Sequence, residues 1–369
     1  MATESVGELL APAEMIERPV GEARDEATAL ERYVTQLQPW LGDATVTELC
    51  IQRPREVFVE RASGWRQELM PFATVSWCQQ FARLVAGATR QRVNAETPLL
   101  SASLPSGERV QVVLPPAVVA GTVAIVIRRP SARVWGLEEL AAGGAFERCV
   151  ASGGGAVTGS EAELRRLYAA GAWLEFLRLA VRVRQNIVVS GATGSGKTTL
   201  TKALIQEIPA SERLIVLEDA AELALGAHPN SVRLLYSKGA QGLAIVSAKQ
   251  LLEASLRMRP DRILLAELRG EEAYYYLRNV NSGHPGSITS VHASSAELAF
   301  EQLTLLVKES GPGRELPRAD IRALLQELVD VVVQCGRNYG GQRAVREIWY
   351  RDAGAADSIP SSGAVGMGG

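Results

Sequence analysis

After an opening stretch, residues 1–24, that is polar and carries no period, apolar residues recur at helical spacing from Glu26 to Leu41. Short β-branched or alternating runs follow at Glu48–Gln52, Glu56–Arg61, Arg109–Leu114 and Thr122–Arg129, with a helical pattern near Ser76–Ala88. That mixture predicts a small α+β domain over 25–130, behind a tail over 1–24. Val110 to Ile127 is free of charge for 18 residues, long enough to suggest a membrane span. Pro115-Pro116 and Gly121 interrupt it, so two strands joined by a turn fit better than a helix.

Glycine and alanine dominate 131–160, including SGGGAVTGS, which predicts a linker with a short helix at Leu137–Ala142. The pattern then changes. A helix over Glu161–Arg184 leads to an apolar strand at Asn186–Ser190. Further strands are predicted at Leu214–Leu217, Val232–Leu235, Ile263–Ala266, Ile288–Val291 and Val329–Gln334, most of them separated by helical stretches. This alternation predicts an α/β domain over 161–352, with a mostly parallel sheet covered by helices. Residues 353–369 read as a low-complexity, disordered tail.

A length of 369 residues is compatible with two or three compact units. The net charge of −2 speaks against a large nucleic-acid footprint, and no stable nucleic-acid binding is expected. Cys50, Cys78, Cys149 and Cys335 are widely spaced and predict neither a zinc site nor a disulfide framework. The acidic N-terminus lacks the pattern of a signal peptide, and a soluble, cytoplasmic protein without a transmembrane segment is expected.

The chemistry concentrates in the second half. Gly191-Ala192-Thr193-Gly194-Ser195-Gly196-Lys197-Thr198 is a complete G-x-x-x-x-G-K-[ST] phosphate loop, followed by Thr199. Its glycines let backbone N–H groups converge on phosphate oxygens at the positive end of the following helix. Lys197 is placed to reach the β- and γ-phosphates, and the Thr198 hydroxyl to ligate Mg²⁺. The chain has five lysines and Lys197 is the first of them, so this is not a motif its composition makes common. Glu267 ends the apolar strand Ile263–Ala266, where a phosphate-loop sheet delivers an acid to the metal or the attacking water; Ala266 stands where an Asp is usual. Glu218, Asp219 and Glu222 follow another strand at the same sheet edge, where the ligand sits; a helix N-cap by Asp219 is the lesser alternative. His284 and His292 flank the strand holding Thr289 and Ser290. A metal site there lacks further ligands, whereas a polar strand end can sense the γ-phosphate. His228 has no such setting and is expected at the surface. Tyr274-Tyr275-Tyr276 is expected to serve packing rather than base stacking, and the cluster Arg257, Arg259 and Arg262 to be structural or phosphate-facing rather than a DNA track.

Taken in order, GATGSGKTT, LIVLEDAAEL, RPDRILLAELRGEEA and GHPGSITSVHA resemble the secretion ATPase superfamily, the hexameric motors of type IV secretion, type II secretion and type IV pili. GERVQVVLPPAVVAGTVAIVIRRPS is similar to the type IV secretion branch, and the absence of Cys-x-x-Cys separates the chain from type II enzymes with a zinc insert. The resemblance implies a RecA-like C-terminal domain, ATP and Mg²⁺ as ligands, and a homohexamer. It also implies work beside other secretion subunits at the cytoplasmic face of the inner membrane, powering machine assembly or export of DNA or protein. It implies Glu267 as the residue that orients or activates water, Glu218 and Glu222 near the metal, and His292 as a γ-phosphate contact. Arg109 and Arg128 are implied as N-terminal arginines that approach the phosphates, with Arg129 an alternative to Arg128. The rivals are a pilus or type II assembly ATPase and, from another class, a DNA-translocating motor or nucleotide-gated binding protein. The absence of Asn-Lys-x-Asp disfavours a GTPase.

Overall fold

The computed structural model describes residues 20–130, 134–147, 149, 159–237 and 243–353, with side chains of the first helix described from Ala29 onward. The predicted tails beyond those limits and most of SGGGAVTGS lie outside the described residues. Helix α1 (Val20–Leu41) begins ahead of the apolar pattern that announced it. It precedes β1 (Val46–Ile51), β2 (Glu56–Arg61), β3 (Gly64–Leu69), α2 (Val75–Ala88), β4 (Leu99–Ser103), β5 (Arg109–Val113) and β6 (Ala124–Arg128). These strands form one antiparallel sheet in the order β3-β2-β1-β6-β5-β4. Strand alternation sends Val57, Val59, Val110, Val112, Ile125 and Ile127 to one face, where Leu30, Leu37, Trp77 and Phe81 of α1 and α2 cover them. The opposite face offers Cys50, Phe58, Val113 and Val126 to a second core shared with the C-terminal half. Both faces are buried, which is why Val110–Ile127 carries no charge; β5 and β6 pair antiparallel across the Pro115-Pro116 turn.

The short helix α3 (Leu137–Ala142) buries none of its residues. Where one helix was expected over Glu161–Arg184, the chain forms α4 (Gly159–Ala169) and α5 (Trp173–Arg182). Gly171, at φ +66°, takes a left-handed turn between them that no apolar spacing reveals. Then come β7 (Ile187–Gly191), α6 (Lys197–Gln206), β8 (Leu214–Glu218), β9 (Ser231–Leu235), α7 (Ala248–Ser255), β10 (Arg262–Leu265), α8 (Glu272–Asn281), β11 (Ile288–Val291), α9 (Ala296–Glu309), α10 (Arg318–Leu328), β12 (Val331–Arg337) and β13 (Arg343–Tyr350). Strands β10-β8-β9 pair in parallel, as do β11-β7-β12, and β13 closes the second sheet as an antiparallel edge. The two sheets meet where Leu268 N donates to Ser290 O (2.8 Å) and Ser290 Oγ donates to Ala266 O (3.0 Å). At the other end Asn186 ties the starts of three strands. Its Oδ1 accepts from Gly286 N and Ser287 N, its Nδ2 donates to Leu328 O, and its own N–H donates to Asp330.

Polar groups seal the contact between the halves. The Arg213 guanidinium is fully buried, donating to Gln52 Oε1, Asn230 Oδ1 and Met258 O, and Arg259 grips Glu60 with two nitrogens. Arg262 is likewise buried against Glu212, while Arg257 donates to Glu253 O within its own helical segment. This basic cluster is therefore committed to structure. Tyr276 is fully buried and Tyr275 nearly so. His228, expected at the surface, is instead 1% exposed, with Nε2 2.9 Å from Ile208 O. A buried turn that needs a ring nitrogen for a carbonyl overrides the polarity of the side chain.

Candidate functional site

The site forms at the carboxyl edge of β7, β8, β10 and β11, where a parallel sheet leaves a crevice. Strand β7 ends in Gly191. A Cβ there would lie 2.5 Å from Ser195 Oγ and 2.6 Å from Cys335 O, so no larger residue fits. Gly196, at φ +100°, opens α6 without any side-chain cap, so the first-turn N–H groups stay available to an anion. Ala192, Thr193, Gly194, Thr198 and Thr199 are exposed around this loop, and Ser195 is buried. The Ser190, Ser195 and Thr201 hydroxyl oxygens are buried there with no protein partner, polar capacity that suits a phosphate-bearing ligand and its metal.

Lys197 folds back on its own loop. Its Nζ donates to Gly191 O (2.8 Å) and lies 3.2 Å from His292 Nδ1, and burial holds its pKa below the ordinary lysine value. His292 Nε2 lies 2.6 Å from Glu267 Oε1. The approach is close but misaligned, since Oε1 makes no hydrogen bond of good geometry. Glu267 Oε2 is held by Arg269 Nη2 at 2.5 Å, and Arg269 Nη1 lies 3.6 Å from Asp219 Oδ2. Lysine, histidine, glutamate, arginine and aspartate thus form one line of polar contacts, from the phosphate loop to the acidic loop after β8.

Thr198, Thr201, Asp219, Glu222, Glu267, Arg269 and Ser290 line a single cleft. Of the residues singled out in the sequence, Thr198, Asp219, Glu222, Glu267 and Ser290 are therefore brought together. Glu218 is not among them. It is fully buried, with Oε1 accepting from Glu222 N (2.9 Å) and Leu223 N (2.8 Å), and burial raises its pKa. Its carboxyl holds the acidic loop in shape rather than facing the cleft. Arg109 and Arg128 stand opposite each other on β5 and β6, and neither lines the cleft. Arg128 Nε lies 3.4 Å from Glu48 Oε1 and its side chain is 65% exposed. Arg129 is engaged elsewhere, donating to Asp43 O. Arg269 was not singled out from the sequence. No pattern marked it: β10 ends at Leu265, and Glu267 and Arg269 lie in the irregular segment beyond it.

A phosphate loop closing a parallel strand, with a carboxylate from a neighbouring strand end beside it, defines a P-loop ATPase. Comparison with known proteins narrows the class. Residues 164–366 match the Type II/IV secretion system protein family. Type IV secretion system protein VirB11 of Bartonella henselae is 46% identical, over 88% of this chain and 94% of that protein. Type IV secretion system protein PtlH of Bordetella pertussis is 41% identical, over 89% of this chain and 97% of its own length. The crystal structure of the VirB11 ATPase from the Brucella suis type IV secretion system, in complex with sulphate, superposes with a TM-score of 0.83 at 45% identity. That match covers 89% of this chain and 96% of the other. The chain belongs to the Type II/IV secretion system protein family, as a VirB11-type ATPase. Among the described residues no helix is long and apolar enough to cross a membrane.

Proposed function

We propose that this ATPase is the motor subunit of a type IV secretion system, working as a homohexameric ring beside other secretion subunits at the cytoplasmic face of the inner membrane. In this reading residues 161–352 form a RecA-like domain, residues 25–130 a smaller α+β domain, and hydrolysis moves one against the other through the 131–160 linker. The 94% coverage of a curated VirB11 protein supports transfer of the whole-protein role rather than of one domain's chemistry.

The loop Gly191–Thr199 would hold the phosphates of ATP. Thr198 and the acids Glu222 and Asp219 would hold Mg²⁺, which supplies charge neutralisation at the β- and γ-phosphates. The observation that carries the mechanism is the contact line from Lys197 through His292 to Glu267. Arg269 fixes one oxygen of Glu267, and the other, Oε1, is buried against His292 Nε2; movement of the His292 ring would free Oε1 to orient water and accept its proton. His292 bridges lysine and glutamate, which places it to register a γ-phosphate that draws Lys197 away. Arg109 and Arg128 are exposed permanent charges that would stabilise the transferred phosphoryl group when the N-terminal domain of this or a neighbouring subunit closes on the site.

Lys197→Ala tests the reading at its root. Steady-state phosphate release should fall below about a tenth of the wild-type rate, because Lys197 is the one lysine among the described residues that projects into the loop. Retention of more than that would remove the phosphate loop from the mechanism.

A further inference from the structure

The phosphate loop is braced from a side on which its motif is silent. The backbone of Cys335 on β12 stands against Gly191, and the stem of Arg343 on β13 lies across Gly196. A Cβ at Gly196 would fall 3.2 Å from Arg343 Cδ and 3.7 Å from its Cβ. Two of the loop's three glycines, Gly191 and Gly196, therefore face the β12–β13 hairpin. The other arginines of that hairpin are engaged: Arg337 donates to Gly341 O (2.7 Å) and Arg346 donates to Arg337 O (3.0 Å). Among the described residues the Arg343 guanidinium has neither a hydrogen-bond nor an ion-pair partner.

With its stem over Gly196, Arg343 carries an unpartnered guanidinium within reach of the uncapped positive end of α6, so two like charges lie near each other. An anion between them relieves both at once. Arginine suits this because its planar fork gives two parallel N–H donors to phosphate oxygens and never loses its charge. We propose that Arg343 is a further phosphate-binding residue, closing over the diphosphate common to ATP and ADP from the hairpin side. The inference rests on the reading of Gly191–Thr198 as the phosphate site and extends it to β13. Because β13 pairs with β12, whose own backbone touches Gly191, the occupied site and the edge of the sheet become one rigid unit.

The test uses the full chain and measures equilibrium binding of Mg–ATP and Mg–ADP. Arg343→Met keeps an apolar stem over Gly196 and removes the charge together with its N–H donors; Arg343→Lys restores a charge without the fork. Arg343→Met should weaken both nucleotides about 10- to 100-fold, with partial recovery in Arg343→Lys. Arg337→Ala, which removes a charge at the paired position on β12, should leave both affinities within about twofold. The midpoint of thermal unfolding without nucleotide should match wild type in Arg343→Met, whereas its rise on adding Mg–ADP should shrink. Unchanged affinities in Arg343→Met, or a loss confined to ATP, would overturn the proposal. Lys197→Ala in the same assay separates the two levels. If it loses nucleotide while Arg343→Met does not, only the role of Arg343 falls. If it too binds normally, the phosphate loop reading fails with it.

Discussion

Replacing Glu267 by Gln preserves shape and removes one charge from the middle of the line that joins Lys197 to Asp219. Arg269 loses its 2.5 Å ion pair, and an amide cannot accept a proton from water. Lys197, already held below its ordinary pKa by burial, also loses the neighbouring charge that opposes that shift. Nucleotide binding depends on the loop N–H groups and the lysine and should survive. Turnover should fall by roughly 10²–10⁴, the usual worth of a positioned base, or about 3–5 kcal/mol in the barrier. Single-turnover phosphate release measures the chemical step, and equilibrium binding of ATP to the same sample measures occupancy. Turnover within tenfold of wild type, with binding intact, would refute the assignment. If Glu218→Gln stopped hydrolysis while Glu267→Gln did not, the base would belong to the acidic loop instead.

Two further outcomes follow from the N-terminal sheet. The Glu48 carboxyl is pushed up to about 7, because burial outweighs the pull of the exposed and well-solvated Arg128. An acid protonated more readily in the fold than in the unfolded chain stabilises the fold below about pH 4.5, and that contribution is lost as pH rises through 7. Glu48→Gln should therefore flatten this part of the pH dependence and raise stability at pH 8 by at most about 3 kcal/mol; urea unfolding at pH 5.5 and pH 8 reads it, and a less stable variant at pH 8 would reverse the reasoning. Joint replacement of Arg109 and Arg128 by Ala should cut turnover by about 10³–10⁵ while ATP affinity falls far less; near-normal turnover would make them ordinary solvated arginines.

The local features were legible and the distant ones were not. The phosphate loop could be read because its residues are contiguous and their spacing is the mechanism. Glu267 could be read because an apolar strand visibly ends there. Three strands escaped. Gly64–Leu69 and Arg343–Tyr350 lie at sheet edges with half of their residues exposed and nearly all the rest only partly covered, so neither alternates cleanly, and of Leu99–Ser103 only Leu100 is fully covered. The inward turn of Glu218 was hidden for another reason. Its partners are backbone N–H groups a few residues on, so nothing in the neighbouring side chains distinguishes a carboxyl that shapes a loop from one that meets a metal. Arg213 and Arg343 show the same limit over a longer range: what they touch is fixed by the meeting of segments far apart in the chain.

The two-sided burial of the N-terminal sheet has a consequence for how the protein is made. On a ribosome the sheet is complete once Arg128 has emerged, and α1 and α2 can cover one face at once. Cys50, Phe58, Val113 and Val126 on the other face wait for partners such as Ile215, Leu217 and Ile263, which lie far downstream. At about 5–20 residues per second the delay is on the order of ten seconds. During that interval a nascent chain displays an apolar sheet face with nothing of its own to cover it. That is the stage of synthesis at which a chaperone, or a stalled neighbour, would find the most to hold.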